Sequence, residues 1–111
     1  MCVLQPLLGA VYNLNNNTFK RLVMQDSAFC SAPIMLADGN ATIIGGDDSY
    51  GVEPDGYFDG RYLVRKFAPG AAGTLTVVAQ MHQPRWYPSL TTLSDARVLI
   101  TSGVSLPGGW G

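Results

Sequence analysis

The sequence predicts an all-β protein of short antiparallel strands, and three observations carry that reading. Thirteen Gly and seven Pro are spread through 111 residues, and no stretch free of them keeps apolar residues at helical spacing. Short apolar runs alternate instead with turn-forming residues. One such pattern also occurs twice, at a constant shift of 57 residues.

Length and composition narrow the function classes. The chain has room for at most one modest domain. Hydrophobic residues make up 47% and charged residues 14%, so there is apolar surface to bury and the chain is no disordered tail. Seven Lys and Arg against eight Asp and Glu leave no cationic field to steer phosphates, so no nucleic-acid partner is expected. No apolar run approaches the ~18 residues of a bilayer-spanning helix. Two cysteines are too few for a disulfide-built scaffold.

Eight strands are expected: Gly9–Leu14, Thr18–Val23, Phe29–Leu36, Ala41–Gly45, Tyr62–Phe67, Thr74–Gln80, Tyr87–Leu93 and Arg97–Thr101. Asn15-Asn16-Asn17 tolerates left-handed backbone and closes the first pair into a hairpin. Asp38-Gly39 does the same for the second, and Pro69-Gly70 punctuates a later pair. The stretch 47–60 holds five of the eight acidic residues. It reads as a solvated surface loop, because its spacing does not match a calcium-loop pattern.

The repeat is the most informative feature. Leu36-Ala37-Asp38-Gly39 leading through Ile43 to Gly45-Gly46 corresponds to Leu93-Ser94-Asp95-Ala96 leading through Ile100 to Ser102-Gly103. A pair of further strands lies upstream of each copy. Two four-stranded units are therefore expected, 9–46 and 62–103, with the acidic loop 47–60 between them. A repeat of roughly 50 residues that closes on Gly resembles a kelch-type β-propeller blade. Two blades leave apolar faces uncovered, since arrays of this kind need about three or more repeats. The Gly-rich end, Pro107 to Gly111, and the start at Met1–Ala10, which lacks a basic region and is broken by Pro6, fit the same expectation. The chain reads as a piece of a longer protein.

Carried upstream, the register sets Cys30 against Tyr87 and Phe29 against Trp86. If blades fan around an axis, equivalent positions on adjacent blades are neighbours, so the thiol and the phenol are expected to meet. Each residue has an ordinary reading as well. Cys30 suits a small buried apolar site or a disulfide to Cys2, and Tyr87 suits a core or rim aromatic.

At these residues the chain resembles a known family. Ala28-Phe29-Cys30-Ser31-Ala32 before the first turn, and Arg85-Trp86-Tyr87-Pro88-Ser89 before the second, look like the amino-terminal part of the glyoxal oxidase and galactose oxidase family. These are copper radical oxidases on a kelch-like propeller. Gly9-Ala10-Val11-Tyr12-Asn13-Leu14 and Arg65-Lys66-Phe67-Ala68-Pro69 are also similar to glyoxal oxidases. The resemblance implies that the Cys30 sulfur and the Tyr87 ring are joined by a thioether, that Tyr87 ligates copper and carries a radical, and that Cys30 tunes it. It implies a small aldehyde or primary alcohol as substrate, O₂ as oxidant, H₂O₂ as product and a secreted protein.

Trp86 and Arg85 are candidates for shielding the radical or ordering the substrate rim, against an ordinary Arg–aromatic contact. Some members of the family place an aromatic over the radical just after the second Gly motif; that register falls near Ser105 here, with Trp110 further on. The other copper ligands of the family, a tyrosine and two histidines, have no match; His82 is read as a solvated loop residue. The chain by itself is therefore expected to lack oxidase activity and tight copper binding. A cysteine pair that glyoxal oxidases carry after the position of Phe67 is also absent. Asn16-Asn17-Thr18 and Asn40-Ala41-Thr42 are glycosylation sequons. The rival reading is a non-catalytic kelch-like segment that binds or braces, with Cys30 and Tyr87 as ordinary strand residues.

Overall fold

The computed structural model describes residues 8–24, 26–47, 59–69 and 73–105. Cys2, Trp110 and the acidic stretch 48–58 lie outside the described residues. The elements are all β apart from one turn of 3-10 helix. They are β1 (Leu8–Asn13), β2 (Thr18–Val23), β3 (Ala32–Met35), β4 (Ala41–Ile44), β5 (Leu63–Ala68), β6 (Thr74–Gln80), β7 (Ser89–Thr92) and β8 (Val98–Thr101). The helical turn is Gly60–Tyr62, where the Asp59 carboxylate accepts from the Arg61 N–H and caps it. Among the described residues no helix is long and apolar enough to cross a membrane.

Each hairpin follows from its turn chemistry. In β1–β2 the Asn17 N–H donates to the Asn13 carbonyl, and Asn17 takes φ 61°, a conformation Asn tolerates better than most residues. Tyr12 and Phe19 face each other across this hairpin with ring centroids 4.6 Å apart. In β3–β4 and β7–β8 the turns are copies. Asp38 and Asp95 each accept from the N–H two residues on, at 3.0 and 3.2 Å. Leu36 and Leu93 each bond the residue four on, at 2.9 and 2.8 Å. The repeat seen in the sequence is thus a repeat of hydrogen bonds.

Its phase differs from the expectation. The four-stranded sheet is β3-β4-β5-β6, flanked by two-stranded sheets β1-β2 and β7-β8. The units 9–46 and 62–103 are therefore not the sheets; the sheet boundary falls two strands later. A period can be read from one sequence, but a cut point cannot. Here the ladder crosses the long acidic loop, with Ile43 opposite Arg65 and the Gly45 N–H continuing it onto the Leu63 carbonyl. The chain after β2 instead leaves its ladder, because Ser27 bridges Asp47.

Pro33, Ala41, Ile43, Phe67 and Leu75 on one face of the central sheet line a groove shared with β1 and β2. The other face carries Ala32, Ile34, Thr42 and Ile44, and β3 touches β7. Repeat mates differ in exposure. Thr42 is 5% exposed, and its mate Leu99 is 46% exposed.

Candidate functional site

Cys30 and Tyr87 come together. The Tyr87 N–H donates to the Cys30 carbonyl at 3.1 Å. The Cys30 side chain beside it pushes the Tyr87 phenol above its ordinary value of 10. Cys30 carries a free thiol and is half-buried, while Tyr87 is exposed.

The two residues do not sit inside strands, as the sequence reading had it. Strands β3 and β7 begin two residues later, at Ala32 and Ser89. Cys30 and Tyr87 occupy the turns that feed them, with φ 59° and 57°. For residues other than Gly that conformation costs about 1–3 kcal/mol each. It aims the side chain off the end of the strand, whereas an extended residue would point it to one sheet face or the other.

The scaffold behind the pair is polar. Arg65 is 1% exposed and holds the Asp26 carboxylate through Nε at 2.6 Å. It also donates to the carbonyls of Gly45, Ser27 and Gly60 at 2.7, 3.4 and 3.2 Å. Gly46 passes so close to this cluster that a Cβ there would lie 2.2 Å from the Ser27 carbonyl oxygen. Its N–H donates to the Arg85 carbonyl at 3.2 Å, which ties the Cys30 segment to the Tyr87 segment. Sequence reasoning missed the Arg65–Asp26 pair. An arginine inside an apolar strand such as Leu63-Val64-Arg65 was the available signal, since an arginine is almost never fully buried unless paired.

The remaining candidates divide. The Trp86 ring packs on Tyr87, with centroids 4.7 Å apart and planes at 58°. The Arg85 guanidinium donates to the Ser102 carbonyl. It braces the second small-residue segment, and its hydrogen bond is to backbone. His82 is exposed. Of the two sequons, Asn16 lies on the exposed β1–β2 turn, where the Thr18 hydroxyl donates to its side-chain oxygen at 2.6 Å. Asn40 leads into Thr42, which is buried.

The residues fit one half of a copper–radical cofactor. A free thiol on the residue whose carbonyl accepts from the tyrosine N–H is the neighbourhood a thioether requires. A copper ion needs several nitrogen or oxygen donors, and among the described residues no group of three or more His, Cys, Asp or Glu side chains that could hold a metal comes together. Comparison of the chain with protein-family models, with curated proteins and with solved structures finds no match.

Proposed function

We propose that this chain is the part of a glyoxal oxidase-like copper radical oxidase that supplies its organic redox group, with Cys30 and Tyr87 as the thioether pair. The single observation that carries the reading is the meeting of these two residues, 57 positions apart and at equivalent points of a repeat, with the Tyr87 N–H on the Cys30 carbonyl at 3.1 Å. Neither residue is a good core residue here. Both take a costly backbone conformation, and Tyr87 is exposed.

Forming the link joins the Cys30 Sγ to the ring carbon beside the Tyr87 oxygen. One S–H and one C–H are lost, and O₂ takes up the two electrons and two protons as H₂O₂. The sulfur then donates electron density into the ring, which eases one-electron oxidation of the phenol. Copper, when bound, supplies the second one-electron centre. In this chain Tyr87 offers one phenol ligand, and further donors must come from outside it. Trp86 packs against the Tyr87 ring, which otherwise stays open to solvent. The substrate class that goes with this reading is a small aldehyde or primary alcohol, in a secreted protein.

The fold supports a propeller as the setting. Antiparallel sheets follow one another in chain order, and the last hairpin leaves Leu99 exposed where its repeat mate Thr42 is buried. Further sheets of the same repeat are the natural cover.

Intact mass of the protein purified from its native source, measured under reducing conditions, tests the proposal. The expected result is a mass two hydrogens below the sequence value, restored by Cys30→Ser or Tyr87→Phe. Full alkylation of the Cys30 thiol in that material would refute it. Such an outcome leaves the non-catalytic propeller segment, whose gene would continue without a Tyr-His pair and a later His.

A further inference from the structure

We infer that Arg65 is the positioning residue of the Cys30–Tyr87 pair, holding through one guanidinium the backbone from which each side chain is hung. The inference rests on the reading of that pair given above. Arg65 lies on β5 and touches neither side chain. Its Nε and Nη2 grip Asp26, and Nη2 also reaches the carbonyl of Ser27, three residues before Cys30. The Ser27 hydroxyl accepts from the Phe29 N–H at 3.3 Å, which sets the turn that presents the thiol. On the other side Nη1 holds the Gly45 carbonyl. The adjoining Gly46 N–H bonds the Arg85 carbonyl, two residues before Tyr87. One side chain thereby fixes the approach to both motifs.

Stability gives no sufficient reason for this arginine. Burying an ion pair costs desolvation that apolar side chains of similar volume would avoid, and such replacements are often neutral or stabilising. What an apolar side chain cannot do is hold a carboxylate and three carbonyls in one plane, which the five-donor fork of arginine can. Lysine could keep the charge pairing with Asp26 but not the span.

The test reads the pair and not oxidase activity. Nuclear Overhauser contacts between the Cys30 β-protons and the Tyr87 ring are measured in the 111-residue chain with isotope-labelled cysteine and tyrosine, the ring assigned through Tyr87→Phe. They are expected in the reference chain, and expected to vanish in Arg65→Lys and in the apolar double replacement Arg65→Met with Asp26→Leu. Amide dispersion in the same samples reports that the fold persists. Leu63→Ala, a buried change on the same strand, is expected to keep the contacts, which separates positioning from general destabilisation. Contacts that survive undiminished in both Arg65 variants overturn the inference. Contacts already missing from the reference chain overturn the pair itself, and with it the proposed function.

Discussion

Four pairs of residues at the same shift of 57 share left-handed φ: Cys30 with Tyr87, Gly39 with Ala96, Gly45 with Ser102, and Gly46 with Gly103. The second copy thus places side chains where the first has Gly, and two predictions follow from what surrounds each position. Ala96 takes φ 67° in an exposed turn, so Ala96→Gly removes strain without losing packing. It should stabilise the chain by about 0.5–1 kcal/mol in urea unfolding, the strain relief exceeding the added chain entropy. Gly46→Ala meets the Ser27 carbonyl oxygen at 2.2 Å at φ 149°. It should cost about 3 kcal/mol or more in the same measurement, because backbone on both sides has to move.

At the level of elements, one exposed ion pair staples the β3–β4 turn to β5. Lys66 Nζ lies 2.5 Å from Asp38 Oδ2, and that bond, aided by the Asn40 N–H, lowers the Asp38 pKa to about 2. A carboxylate depressed in the folded state contributes stability above its unfolded pKa near 3.8 and loses it as pH falls through about 2. The contribution is small because both groups are open to water. Lys66→Met should return much of the Asp38 titration toward 3.8 in a carboxyl NMR titration and make acid unfolding begin at higher pH. The second copy does the job differently. Asp95 is lowered by its neighbour Arg97, and a bond to a residue two positions away braces the turn without reaching another strand.

For the whole molecule the telling feature is how little is covered. Among the described residues the buried apolar set is Ile44 and Leu63, beside a polar group of Asp26, Ser27, Thr42, Asp47 and Arg65. Met35, Val78 and Leu99 remain 62%, 55% and 46% exposed. Faces of this kind associate. Sedimentation velocity should show concentration-dependent self-association of the 111-residue chain. Leu99→Lys, which charges the outer face of the last hairpin, should shift it toward monomer. A reference chain that stays monomeric at high concentration would mean that this face needs no cover.

The number of strands, their antiparallel hairpins and the 57-residue repeat were determined by the sequence, because turn residues and alternating apolar positions act over a few neighbours. Asp38 and Asp95 carry that information locally. The matching of Cys30 to Tyr87 was legible too, since a repeat turns a distance along the chain into a spatial equivalence. The sheet to which each strand belongs was decided only in three dimensions. Pairing of β4 with β5 across the acidic loop is a long-range choice that no local pattern encodes. The same holds for Arg65: its partners Asp26 and Ser27, Gly45, and Gly60 come from three separate stretches, and only the folded chain brings their oxygens within reach of one guanidinium.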